Sequence, residues 1–204
     1  LNRGSESVSL IDTASLYETT RLRLLSEPNG IFLGRGSNQA YVTHAASSSM
    51  TVLDLLSRSI RGTVSLEESP LAGASSRDGR SLYLINDFSA DLSVLDSSSL
   101  NTREKIYVGN GAISLKADPV SGLLYIGKQD GEIAVVDPRS QMAIDSFSLP
   151  GAVQDISIDN EENALFAVLP RTNSLLKIDL ISKKVLGHLQ LEAGGNSVAV
   201  MGER

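Results

Sequence analysis

One short phrase occurs five times in this chain. It reads Ser9-Leu10-Ile11-Asp12, Thr51-Val52-Leu53-Asp54, Ser93-Val94-Leu95-Asp96, Ala134-Val135-Val136-Asp137 and Leu175-Leu176-Lys177-Ile178-Asp179. The aspartates are 42, 42, 41 and 42 residues apart, and a serine follows each by three positions: Ser15, Ser57, Ser99, Ser140 and Ser182. A period near 40 residues marks a repeated supersecondary unit, and such a unit buries its apolar face only against its neighbours.

The remaining columns keep the same period. Tyr41, Tyr83, Tyr125 and Phe166 sit within the short apolar runs Ala40-Tyr41-Val42, Leu82-Tyr83-Leu84, Leu124-Tyr125-Ile126 and Leu165-Phe166-Ala167. Ten residues past each aspartate stand Leu22, Val64, Ile106, Phe147 and Leu189, and twelve past stand Leu24, Leu66, Val108, Leu149 and Leu191. A spacing of two marks a strand with one buried face. Each repeat therefore holds four strand signals. Strand A covers Ile31–Leu33, Gly73–Ser75, Ile113–Ala117, Val153–Ile158 and Ser197–Met201. Strand B carries the aromatic residue, strand C runs into the aspartate, and strand D carries the paired apolar residues. Turn chemistry such as Arg77-Asp78-Gly79-Arg80 and Asp118-Pro119-Val120-Ser121-Gly122 separates A from B. No stretch shows a capped apolar stripe of helical period. The chain reads as all-β, a β-propeller of four-stranded antiparallel blades. It has no Trp, so the WD40 signature is missing, as are the kelch marks.

With Tyr41-Val42-Thr43 opening one repeat and Val52-Leu53-Asp54 closing its third strand, residues 8–201 resemble the YVTN family of β-propeller repeats. Pro28 and Pro70 supply the proline that precedes strand A in that pattern; the third and fifth copies lack it. The resemblance implies an extracytoplasmic protein, periplasmic, on the cell surface or secreted. Some members of that family lie in surface layers.

Complete repeats cover residues 28–66, 70–108, 111–149 and 152–191. Residues 8–25 supply only strands C and D, and residues 195–201 only strand A. Closing these ends on each other gives a five-blade ring in a single domain spanning 1–204, and burying strand edges is the motive. Residues 1–7 read as a B–C loop, so the closing blade lacks its own strand B. The alternative is a piece of a larger propeller of about seven blades.

Composition narrows the function. Lys plus Arg is 18 against Asp plus Glu 24, a net charge of -6, which argues against nucleic acid and anionic lipid as partners. No apolar run is long enough to cross a membrane as a helix. There is no cysteine, so disulfides, thiolate nucleophiles and zinc–thiolate sites are excluded.

The five aspartates invite a calcium reading, but an Asp at the end of strand C is suited to accepting N–H bonds within its own turn, and turns on successive blades do not converge on one ion. No metal and no cofactor is expected. Function in a repeat protein is expected where the copies differ, on the face formed by the B–C and D–A loops. The candidates are His44, Glu67, Glu68, Asn86, Asp87, Lys128, Asp130 and Arg171, on a face that is polar and net acidic. Lys116 and Asp155 are charges placed in strand A, next to the central channel, and form a second candidate pair. No nucleophile elbow or phosphate loop occurs. The expected function is a non-catalytic scaffold that binds a protein or glycan partner. A structural or accessory subunit of a surface or redox assembly is one alternative, and a propeller hydrolase or lactonase-like enzyme is another.

Overall fold

Alternating apolar residues between turn signals form strands throughout, as antiparallel packing on one buried face requires. In the computed structural model of the 204-residue chain, residues 1–200 are described. The first sheet pairs β1 (Ser7–Ile11) with β2 (Glu18–Arg23). The second holds β3 (Gly30–Leu33), β4 (Gln39–His44), β5 (Ser49–Asp54) and β6 (Ser59–Ser65). The third holds β7 (Pro70–Ser75), β8 (Ser81–Asn86), β9 (Asp91–Asp96) and β10 (Thr102–Tyr107). The fourth holds β11 (Ala112–Ala117), β12 (Leu124–Lys128), β13 (Glu132–Asp137) and β14 (Met142–Ser148). The fifth holds β15 (Asp155–Asp159), β16 (Ala164–Leu169), β17 (Ser174–Asp179) and β18 (Val185–Gln190). Strand order within every sheet follows chain order. The protein is all-β, with the four-stranded antiparallel blades of a β-propeller, and residues 8–25 supply strands C and D alone, as the repeat register requires.

The residues group into two compact units. The first comprises Leu1–Asp87 and Ser93–Glu104; the second comprises Phe88–Leu92 and the chain from Lys105 onward. In the first unit, Val8, Leu24, Ala40, Val42 and Leu53 form one apolar cluster, and Tyr41, Met50, Val52, Leu82, Leu84 and Leu95 form another. Tyr41 stacks on Phe32 with ring centres 5.1 Å apart. In the second unit, Tyr125 packs among Val153, Ile156, Leu165 and Leu176. Burial pushes its phenol up to about 12, and the carboxylates of Asp118 and Asp145 add to the shift. Tyr41 and Tyr125 thus each pack between their own sheet and the next, where a large ring fills the space that twisted sheets leave.

The recurrent aspartates close the C–D turns. Asp12 Oδ1 accepts the N–H of Ala14 and Ser15. Asp54 Oδ1 accepts from Ser57, Asp96 Oδ1 from Ser98 and Ser99, Asp137 Oδ1 from Arg139, and Asp179 Oδ1 from Ser182. These donors favour the carboxylate, and hydrogen bonding to Ser15, Ser57 and Ser182 holds Asp12, Asp54 and Asp179 below their ordinary value. One residue past each serine the backbone turns left-handed, at Leu16, Arg58, Leu100, Gln141 and Lys183, with φ between 54° and 61°.

The C-terminal segment departs from expectation. Residues 197–200 form no strand, and Met201 lies outside the described residues. Instead the Val198 N–H donates to Asp155 Oδ2 at 2.9 Å and the Val200 N–H to Ser157 Oγ at 3.2 Å. The segment runs parallel to β15 at a two-residue pitch. Its acceptors there are side chains, so no backbone ladder forms.

Candidate functional site

Each B–C loop begins where strand B ends, and the residue at that junction decides what the loop is built on. It is Asn2 in the first repeat, then His44, Asn86, Lys128 and Leu169, the last residues of β4, β8, β12 and β16. Here the structure corrects the sequence reading. His44, Asn86 and Lys128 were expected among the solvent-facing loop groups, but they close strand B and are buried, at 1%, 3% and 6% exposure. The reason is the strand register. His44 pairs with Ser49, at the mouth of a hairpin whose side chains at that position point inward.

A single hydrogen bond recurs at this junction. Asn2 Nδ2 donates to Ser9 Oγ at 2.7 Å, His44 Nε2 meets Thr51 Oγ1 at 2.9 Å, and Asn86 Nδ2 donates to Ser93 Oγ at 2.9 Å. Each spans seven residues, from the end of strand B to the third residue before the repeat aspartate. In the fifth sheet the same two places hold Leu169 and Leu176, both buried. The polar copies need a bond because a buried polar group without a partner costs about 1–3 kcal/mol; the apolar copy needs none.

Around these bonds the loop end of the first unit is a connected polar network. Thr51 Oγ1 continues to Thr63 Oγ1 at 2.8 Å, and His44 Nδ1 lies 3.3 Å from the Glu27 carbonyl. Asn29 Oδ1 accepts the Ala45 N–H at 2.6 Å, while its Nδ2 donates to the Pro70 and Leu71 carbonyls of the next sheet. Ser26 meets Ser47, Ser47 meets Ser49, and Ser48 meets Ser69. Glu68 Oε2 accepts from Asn86 at 2.6 Å. Glu68 and Asp87 are half-buried and Glu67 is exposed.

In the second unit, Lys128 Nζ pairs with Glu132 Oε2 at 3.1 Å. The turn of Gly109, Asn110 and Gly111 passes close by: a Cβ built on Gly109 would stand 3.0 Å from Nζ. Gly109 has φ +82°, a conformation and a clearance that suit glycine alone. Asp130 and Arg171 are exposed, although Asp130 Oδ1 accepts the Glu132 N–H within its own turn. Phe88 is fully exposed on its B–C loop.

The two strand-A charges are brought within electrostatic range of each other. Burial raises the Asp155 carboxyl above its ordinary 3.8, opposed by the Val198 and Ile156 N–H bonds and then by the charge of Lys116. Both residues are half-buried. The Asp155 carboxylate accepts the Val198 N–H, so Asp155 ties the C-terminal segment to β15.

The loop end therefore offers exposed charges over a satisfied polar layer. Among the described residues, no group of three or more His, Cys, Asp or Glu side chains could hold a metal ion, and none of the described helices is long and apolar enough to cross a membrane. The junction bond escapes sequence reading because the residue type changes at both ends; the spacing of seven between polar residues at matched register was the available signal.

No family model matches the sequence, and no curated protein matches it. Among solved structures the chain is similar to a chain of the Kuenenia stuttgartiensis hydrazine synthase, with a TM-score of 0.79 at 17% identity. The match covers 96% of this chain and 64% of that one, so the present chain spans less than two thirds of its solved neighbour. At this identity the likeness shows a shared fold.

Proposed function

We propose that the chain is a non-catalytic scaffold that binds a protein or glycan partner through exposed side chains of its loop end, in an extracytoplasmic setting and as a propeller of the YVTN repeat type. The observation that supports this most is the use of His44, Asn86 and Lys128. These are the loop-end residues best equipped for proton transfer or ligand polarisation, and each is buried and bonded within the fold. What faces outward is charge on short, anchored loops: Glu67, Asp130 and Arg171. That arrangement suits recognition at a polar rim, where charge complementarity sets partner choice.

The test is isolation of the tagged chain from its source organism, with co-purifying components identified by mass, repeated for Glu67→Lys, Asp130→Lys and Arg171→Glu singly. Glu68 is left intact, because neutralising it would also disturb Asn86. The scaffold reading expects a stoichiometric partner that at least one charge reversal releases without loss of the circular dichroism spectrum. A partner retained by all three variants would count against this face, and turnover of a small substrate by the purified chain would overturn the non-catalytic reading. A second reading, an accessory subunit within an enzyme complex, is favoured by the structural likeness to a chain solved as hydrazine synthase. Recovery of the chain with a cofactor-bearing subunit would support it.

A further inference from the structure

An asparagine followed by glycine carries a reaction of its own. The glycine nitrogen can attack the side-chain amide before it, because no side chain shields that nitrogen or restricts its backbone. The sequence holds this pair twice, at Asn29-Gly30 and Asn110-Gly111. The fold treats the two copies differently.

Asn29 is held through both polar atoms of its side chain. Its Oδ1 accepts the Ala45 N–H at 2.6 Å, and its Nδ2 donates to the Pro70 and Leu71 carbonyls at 3.0 and 2.6 Å. Gly30 lies in β3, paired with Thr43, and a Cβ built on it would stand 2.7 Å from Thr43 Oγ1 and 2.8 Å from the Leu71 carbonyl. Amide and backbone are both fixed, so the Asn29 side chain reaches the Gly30 nitrogen only after local opening.

Asn110 lies on the turn between β10 and β11 and is exposed. Among the described residues, none hydrogen-bonds its side chain or the Gly111 N–H. Gly111 precedes the first residue of β11 and has φ +80°. Apart from its chain neighbours, a Cβ built on it would meet nothing nearer than Gln129, at 3.8 Å, so there is room for the attack. The Gly111 carbonyl accepts the Gln129 N–H at 2.8 Å, a bond that leaves the Gly111 nitrogen uninvolved.

We propose that Asn110-Gly111 is a self-modifying site with water as its only co-reactant. The Gly111 nitrogen bonds to Asn110 Cγ, the Cγ–Nδ2 bond breaks, and ammonia leaves with the proton of the Gly111 N–H. Water then opens the resulting succinimide at one carbonyl or the other, giving aspartate or isoaspartate. Either product adds a carboxylate to a chain of net charge -6, beside the turn that carries the exposed Asp130. The reaction needs no partner, so its failure and the failure of the loop-end reading are separable.

The test keeps the folded chain in mildly alkaline water enriched in heavy oxygen, then digests it with trypsin in ordinary water. Heavy oxygen in the peptides of residues 106–116 and 24–35 marks conversion that took place before digestion. Synthetic standards separate the aspartate and isoaspartate forms. The proposal expects Asn110 to convert about as fast as in a synthetic peptide of residues 106–116, and at least about tenfold faster than Asn29. In urea the two pairs should convert alike. Gly111→Ala, whose methyl has room but shields the nitrogen, should nearly stop the reaction. The proposal is overturned if the folded chain converts Asn110 no faster than Asn29, or leaves it intact while the synthetic peptide reacts. It is equally overturned if the difference persists in urea, since sequence and not fold would then set it, or if Gly111→Ala converts as fast as wild type.

Discussion

Replacing Asn86 by Ala should destabilise the protein markedly although the residue ends a strand beside a surface loop. Its Nδ2 donates to the Glu68 carboxylate at 2.6 Å and to Ser93 Oγ at 2.9 Å, and the residue is 3% exposed. A bond to a charged acceptor contributes about 1.5–3 kcal/mol and a neutral one about 0.5–1.5 kcal/mol. Truncation should therefore cost about 2–4 kcal/mol. For a chain of this size each kcal/mol lowers the thermal midpoint by about 2–4 °C, so the expected fall is roughly 4–16 °C. Urea and thermal unfolding followed by far-ultraviolet circular dichroism would measure it, since the chain has no Trp to report by fluorescence. The double variant Asn86→Leu with Ser93→Leu copies the buried Leu169 and Leu176 of the fifth sheet, and it should recover part of the loss. An Asn86→Ala protein within about 0.5 kcal/mol of wild type, the usual effect of a plain surface substitution, would refute the reasoning. It would mean that the amide is not held by the fold and is open to a ligand.

Leu16 is 78% exposed at φ +61°, so Leu16→Gly should raise stability by about 0.5–1 kcal/mol in chemical denaturation, the left-handed cost less the added chain entropy of glycine. Gly30→Ala should lower it by about 1–3 kcal/mol, because the new Cβ would stand 2.7 Å from Thr43 Oγ1 and 2.8 Å from the Leu71 carbonyl. Burial raises the Asp155 carboxyl in the fold, so protonation favours the folded state. That contribution is fully present below the ordinary value of 3.8 and is lost as pH rises through the raised one. Asp155→Asn keeps an acceptor for Val198 without the buried charge; unfolding free energies measured across that window should show its advantage over wild type growing with pH.

Much of the architecture was legible because burial on one strand face repeats with the blade. The aspartates located all five C–D turns, and their bonding to Ser15, Ser57 and Ser182 follows the side-chain geometry expected of such turns. The left-handed residue that completes each turn was not legible. Leu16, Arg58, Leu100, Gln141 and Lys183 share no side-chain property, and the conformation is imposed by the closing bonds, such as Leu16 N–H to the Asp12 carbonyl. The loop end was read least well. His44, Asn86 and Lys128 look like variable loop residues because their types differ, yet each fills one inward position and finds its own local partner. The C-terminal strand failed for a related reason: Val198 and Val200 find side-chain acceptors on Asp155 and Ser157, which no strand pattern encodes.

The central claim is that the polar residues where strand B meets its loop serve the fold, leaving recognition to the charges outside them. The two histidines test it within one molecule. His44 is 1% exposed and bonded through both ring nitrogens, whereas His188 is exposed on β18. Acylation of the folded protein with diethyl pyrocarbonate, read site by site by mass spectrometry, should modify His188 promptly and His44 only under unfolding conditions. Modification of His44 at the rate of His188 in the folded protein would contradict the account.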